Sequence, residues 1–114
     1  MIGPMDTHDA PVTSYCPKFQ HTVELIGRRW SGAIVRSLLA GATRFGDILQ
    51  QVPGLSDRLL SERLRELEGE GIVERHVYPE VPVRIEYTLS PKGRELLDVV
   101  AAIDSWAERW VLSA

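Results

Sequence analysis

The sequence predicts a mainly α fold with one small β-hairpin, an α+β arrangement, and three observations carry that reading. Residues 43–71 hold two short amphipathic helical patterns split by Pro53-Gly54, two β-type runs follow at once in residues 72–89, and a long helical pattern opening at Ser90-Pro91 closes the chain. Helix, turn, helix and hairpin in that unbroken order are the layout of a winged helix-turn-helix. The expected organisation is a flexible tail over residues 1–15, then a winged helix-turn-helix over residues 16–114 that pairs with a second copy through its terminal helices.

Each element has its own signal. The tail combines Gly3, Pro4, Pro11, Asp6 and Asp9 with no apolar periodicity, so it has too little to bury to offset the cost of ordering. Pro17 suits the first turn of a helix reaching about Ile26, where Gly27 ends it and Phe19, Val23 and Ile26 share a face. A scaffold helix from about Trp30 to Ala40, stopped by Gly41, aligns Trp30, Ile34 and Leu38. Thr43 is placed to cap a helix running to about Val52, with Phe45, Ile48 and Leu49 on one side. Ser56 caps the next helix, SDRLLSERLRELEGEG, which ends at Gly69 or Gly71. At about 100° per residue, Leu59, Leu60, Leu64 and Leu67 fall on one side of it, and Asp57, Arg58, Ser61, Glu62 and Arg65 on the other.

The runs Ile72 to Tyr78 and Val83 to Leu89 are rich in β-branched and aromatic residues, and the second alternates Ile85, Tyr87, Leu89 with Arg84, Glu86, Thr88. Pro79 and Pro82 cannot donate ladder hydrogen bonds, so the segment between the runs is expected to project as the wing. Ser90-Pro91 opens a helix expected to continue to about Leu112, with a stripe of Leu96, Val100, Ile103, Ala107 and Trp110 flanked by Leu97 and Trp106. Such a stripe commonly packs on its own domain. The large aromatics near its end favour a different use, as anchors of a two-fold interface shared with Phe19 and Val23.

With 114 residues and 44% hydrophobic content, one modest core is possible, and a domain of this size gains from oligomerisation. The net charge of −3 argues against indiscriminate binding to polyanions. Residues 28–94 nevertheless hold eleven of the thirteen Lys and Arg and nine of the sixteen Asp and Glu, a local balance of +2 against −5 elsewhere. Attraction for phosphate must then come from a local Arg surface and be sensitive to salt. The start, MIGPMDTHDAPVTSY, has no basic segment followed by an apolar run, and no apolar stretch approaches a bilayer span, so a cytoplasmic location with no membrane partner is expected.

Catalysis is not expected. His8, His21 and His76 fall in a tail, a helix and a strand, and no Gly-rich phosphate loop or metal spacing accompanies them. Neither a cofactor nor a metal is implied. Cys16 is the sole cysteine, which excludes an internal disulfide and leaves two readings open. It is a small apolar residue, or a thiol at a helix start whose oxidation to a sulfenate, an interchain disulfide or a mixed disulfide is a signal.

Residues Cys16 to about Leu112, 97 of the 114, resemble the HxlR-type family of bacterial winged helix-turn-helix transcriptional regulators. The resemblance rests on Cys16-Pro17, Gly27-Arg28-Arg29-Trp30, Arg44-Phe45-Gly46-Asp47-Ile48, LSDRLLSERLRELE, and VYPEVPVRIEYTLSPKG with the helix after it. Arg28 stands where the family frequently has Gly. What the resemblance implies is a homodimer built from the terminal helices, with Phe19, Val23, Leu96, Val100, Ile103, Trp106 and Trp110 at the interface. It also implies transcriptional control, commonly under oxidative or electrophile stress, with any small-molecule effector unspecified.

Carried residue by residue, Arg58, Ser61 and Arg65 match exposed positions of the family's recognition helix, with Ser56 and Asp57 at its N-terminal end. Arg58 is the leading base reader, because a guanidinium can engage guanine O6 and N7 together. Thr43 and Arg44, at a helix start, suit phosphate oxygens. Arg84, with Arg75 or His76, would serve the wing, although His76 also fits an ordinary strand position. Arg63 falls on the apolar side, where a packed stem with a snorkelling head is expected. The expected function is a sequence-specific DNA-binding regulator acting as a homodimer on an inverted repeat of double-stranded DNA. Its rival is a winged-helix module for protein partners, since the fold alone does not set function.

Overall fold

The computed structural model describes residues 14–112. The expected tail therefore lies outside the described residues, except for Ser14 and Tyr15. Six helical segments and one hairpin follow in order: α1 Pro17–Gly27, α2 Ser31–Leu39, α3 Phe45–Gln51, α4 Asp57–Gly69, β1 Val73–Tyr78, β2 Arg84–Leu89, α5 Pro91–Arg94 and α6 Leu96–Trp110. The strands pair antiparallel, from Val73 opposite Leu89 to Tyr78 opposite Arg84. The mainly α fold with a small β wing is as the sequence predicts.

The core lies where the amphipathic faces of α2, α3 and α4 meet the base of the hairpin. Ile34, Ile48 and Leu60 are fully buried, and Leu64, Leu67, Ile72, Val73 and Leu89 surround them. Ser56 starts α4 as expected, its Oγ accepting from the Leu59 N–H at 3.1 Å. Past the helix end, Gly71 takes φ +77°, a left-handed conformation that a side chain would resist. Helix α2 is likewise followed by Gly41, at φ +107°.

Three expectations change. Thr43 does not cap α3: Arg44 occupies that position, and no side chain bonds the first N–H groups. Thr43 instead offers its carbonyl to the Tyr87 N–H at 2.8 Å, which ties the start of α3 to the wing strand. The second change concerns Arg63, which does not snorkel. It is 8% exposed, and its Nε donates to the Arg29 carbonyl at 2.9 Å while Nη1 reaches Glu66 at 3.1 Å. A buried guanidinium is tolerable here because carbonyl and carboxylate satisfy it.

The third change is the C-terminal helix, expected to be continuous to about Leu112. It breaks at Glu95 and ends at Trp110. Segment α5 is pinned to the hairpin base. Ser90 Oγ accepts from the Gly93 N–H at 3.0 Å, Lys92 Nζ donates to the Glu70 carbonyl at 2.7 Å, and Arg94 donates to the Leu89 carbonyl at 2.8 Å. Gly93 allows this closeness, since a Cβ there would stand 2.2 Å from the Ile72 carbonyl oxygen. Glu95 itself keeps a right-handed helical conformation, and α6 follows it from Leu96. Leu96 and Val100 pack against the chain's own core.

Strand β2 also departs from a clean alternation. All of its residues except buried Leu89 are half-buried, because Arg84 and Glu86 on the outer side cover one another.

Candidate nucleic-acid interface

The second helix of the helix-turn-helix, α4, presents its polar side beside the wing. Between them is a groove of about 390 Å³ lined by Ser61, Leu64, Arg65, Glu68, Arg75 and Tyr87. Three sequence-predicted residues thus meet in one place: Ser61 and Arg65 from α4, one turn apart, and Arg75 from β1. Among the described residues, neither the Arg65 nor the Arg75 side chain has an ion pair or hydrogen-bond partner. Two uncommitted guanidiniums on one groove form a local cationic surface on a chain whose net charge is −3.

The N-terminal half of α4 projects more freely. Ser56 and Asp57 are exposed at its start, and Arg58 is 85% exposed, its Nε 3.1 Å from Glu62 one turn on. An exposed pair of that kind is weak, about 0.3–0.5 kcal/mol, so Arg58 can leave Glu62 for a stronger acceptor.

The wing cations are differently placed. Arg84 donates to Glu80 at 2.9 Å and also to Glu86, while its guanidinium lies 3.9 Å from the Tyr78 ring centre. Hydrogen bonds donated to Glu80 and then to Glu86 push its pKa further above the usual arginine value. The same contact holds the Glu80 carboxyl below the usual glutamate range. Arg44 stands 3.7 Å from Glu86. Arg84 is therefore the most committed of the candidate cations, whereas Arg65 and Arg75 are free to meet a polyanion. His76 bonds Thr88 Oγ1 at 2.9 Å across the hairpin, which suits a strand residue. Beyond the wing residues, Val81 at the tip is fully exposed.

Sequence reasoning missed Tyr87 and Glu68 as lining residues. Tyr87 carried only a strand signal, and Glu68 looked like one more charge on a solvated face; their meeting depends on how the hairpin sits beside α4.

The terminal elements carry the remaining candidates. Cys16 is an exposed free thiol at the N-cap position of α1. Phe19, Val23, Leu97, Ile103, Trp106 and Trp110 are 48–69% exposed, whereas Leu96 and Val100 face inward. The described residues contain no His, Cys, Asp and Glu group able to hold a metal. No described helix is long and apolar enough to cross a membrane.

The chain matches the model of the HxlR-like helix-turn-helix family over residues 25–114. It is 49% identical over 96 residues to YvaP of Bacillus subtilis, an uncharacterized HTH-type transcriptional regulator, covering 84% of this chain and 89% of that protein. To the HTH-type transcriptional regulator YodB of the same organism it is 43% identical over 95 residues, 83% of this chain and 85% of YodB. The reduced form of YodB superposes with a TM-score of 0.76 at 42% identity, covering 85% and 95% of the two chains. YodB has also been solved diamide-treated and quinone-bound. The oxidized form of the redox regulator HypR gives a TM-score of 0.78 at 36% identity, over 86% of this chain and all of that one. On the family match and these relatives, this chain belongs to the HxlR-like helix-turn-helix family, whose members are transcriptional regulators and not enzymes.

Proposed function

We propose that this chain is a cytoplasmic regulator that binds an inverted-repeat operator in duplex DNA as a homodimer. The observation that carries the reading is the groove where Arg65 and Arg75 converge beside Ser61, free of carboxylate partners and next to the exposed start of α4. In this assignment α4 enters the major groove, Arg58 reads a base, and Arg65 and Arg75 hold backbone phosphates. Ser56 and Asp57 start the helix, Thr43 and Arg44 approach the adjacent backbone, and Arg84 serves the wing once Glu80 gives way. The exposed apolar faces of α1 and α6 support dimerisation. Paired through those helices, two copies would set their α4 helices about one turn of DNA, roughly 34–36 Å, apart.

Control through Cys16 belongs to the same proposal. Its thiol is exposed at the start of α1, the helix that also bears Phe19 and Val23, and the YodB and HypR structures supply the redox and quinone context. Two Cys16 thiols of a dimer can join as a disulfide, losing two protons and two electrons to an oxidant such as diamide, which becomes the hydrazine. An electrophile such as a quinone would instead add to one thiolate.

A gel shift against the DNA upstream of the chain's own gene, titrated with salt and repeated after diamide, tests both halves. We expect a specific complex that weakens with salt and with diamide, and a Cys16→Ser variant that ignores diamide. A module for protein partners would give no specific band. Equal diamide responses in wild type and variant would remove Cys16 from the mechanism.

A further inference from the structure

The outer side of the hairpin carries as much acid as base. Arg84 and Glu86 of β2 sit across from Tyr78 and His76 of β1, Glu80 follows at the turn, and Arg44 reaches in from the start of α3 to stand 3.7 Å from Glu86. The Tyr87 N–H bonded to the Thr43 carbonyl at 2.8 Å fixes that approach. Two guanidiniums and two carboxylates thus share one patch whose charges cancel. The groove side of the same hairpin differs, because Arg75 there has no carboxylate partner.

A lone exposed ion pair is weak and would yield to any phosphate. Arg84 is held more firmly. Its Nε and Nη2 donate to the two oxygens of Glu80 at 3.3 and 2.9 Å, the fork-on-carboxylate geometry that a guanidinium favours. Nη1 donates to Glu86, and the Tyr78 ring centre lies 3.9 Å away. Arg84 is in consequence 28% exposed, against 85% for Arg58. A phosphate must displace a carboxylate to reach it. Since phosphate contacts are alike in every sequence, a cation kept from them lowers non-specific binding and leaves base readout untouched.

We infer that Glu80 and Glu86 are specificity-determining residues: they hold Arg84 and Arg44 in place of phosphate and so keep the wing from DNA that α4 does not fit. The inference rests on the operator-binding reading and adds to it a role for acidic residues that themselves repel DNA. On an ill-fitting duplex the carboxylates stay. On the operator, the base contacts of α4 bring the backbone against the wing, and the free energy of those contacts offsets the exchange of Glu80 for phosphate. Competing sites far outnumber an operator in a genome, so weakening the wrong complexes serves selectivity as well as tightening the right one.

The test compares Glu80→Gln with Glu74→Gln in the full chain. Both remove one charge from the same hairpin, but Glu80 bonds Arg84 whereas Glu74 faces His76 at 3.6 Å. At 0.1 M salt Glu80→Gln should bind scrambled duplex about tenfold more tightly than wild type, with a salt slope steeper by about one unit, and Glu74→Gln should gain less than about threefold. The gain on the DNA upstream of the chain's own gene should be smaller, so the ratio of specific to scrambled binding falls. In an Arg84→Ala background the advantage of Glu80→Gln over Glu74→Gln should vanish. Equal gains for the two variants overturn the inference, as does a Glu80→Gln advantage that survives Arg84→Ala or is as large on the upstream DNA as on the scrambled duplex. A Glu86→Gln variant with no gain overturns the part assigned to Glu86. Elution from heparin, a polyanion without bases, repeats the comparison in the absence of DNA: later elution of Glu80→Gln than of Glu74→Gln supports the inference, and co-elution overturns it. The operator reading fails on a separate result, wild type binding both duplexes alike.

Discussion

The middle of the chain and its ends differ in how far they complete themselves. From α2 to the hairpin base, apolar faces find partners in the same chain, and Ile34, Ile48 and Leu60 lose all contact with solvent. Helices α1 and α6 are as amphipathic in sequence, yet neither buries a single residue fully. The radius of gyration, 16.6 Å, exceeds the roughly 13 Å expected of a compact domain of this length. An amphipathic pattern therefore says that a face must be covered, and it does not say by which chain. In the middle the cover is intramolecular; at the ends it is left open, and the proposed homodimer would supply it.

Substitutions on the two sides of that division should behave differently. Leu60→Ala removes a fully buried side chain at the centre of the core and is expected to lower stability by about 2–5 kcal/mol, read by denaturant unfolding. A loss under about 1 kcal/mol would mean that the core repacks easily. Trp106→Ser combined with Trp110→Ser should leave the monomer folded, abolish the dimer in light scattering, and weaken operator binding by about 10²–10⁴-fold as joint engagement of two half-sites is lost. A double variant that stays dimeric would place the interface elsewhere and erase the comparison.

Within the middle, the division between committed and free cations can be sharpened in the same way. Arg58→Ala should cost about 1–3 kcal/mol on the operator and little on scrambled DNA. Arg75→Ala should weaken both and reduce the salt slope by about one unit. Arg84→Ala is expected to change that slope less than Arg75→Ala, because Glu80 and Glu86 already neutralise it. The reverse order would mean that Arg84 exchanges its carboxylates for phosphate.

The smallest expected effect is on the wing tip and is set by pH. Arg84 lowers the Glu80 pKa from its usual 4.5, so the contact adds stability that is fully present above that value and fades as pH falls through the lowered one. Between pH 5 and 8 the tip should not change. Hydrogen exchange of the wing amides should quicken only under stronger acid, and a change near neutrality would assign the tip to another group.

The predictable elements share a physical basis, since caps, stops and helical stripes depend on residues within about four positions of one another. Ser56, Gly71, the hairpin and the buried stripe of Leu60, Leu64 and Leu67 were legible for that reason. Much of the candidate interface was legible too, because the outward side of α4 is the complement of that stripe. The misread cases depend on distant partners. Arg63 is buried because the Arg29 carbonyl, 34 positions away, receives it, and α6 is tied to α2 through Arg36 and Asp104, 68 positions apart. Which cations are free was equally invisible, since Arg75 and Arg84 sit on paired strands with the same local signal and differ only in where Glu80 and Glu86 reach.

The amino-acid sequence by itself determined the order of elements, the site of the turn, the wing and the face that each helix must cover. Tertiary structure decided the interruption at Glu95, the packing of Leu96 and Val100 against the core, the left-handed Trp30, and the groove that joins Arg65 to Arg75. Hydrogen-bonded turns and side-chain periodicity act locally along the chain, whereas packing and charge pairing act through space and are settled only when the chain has closed on itself.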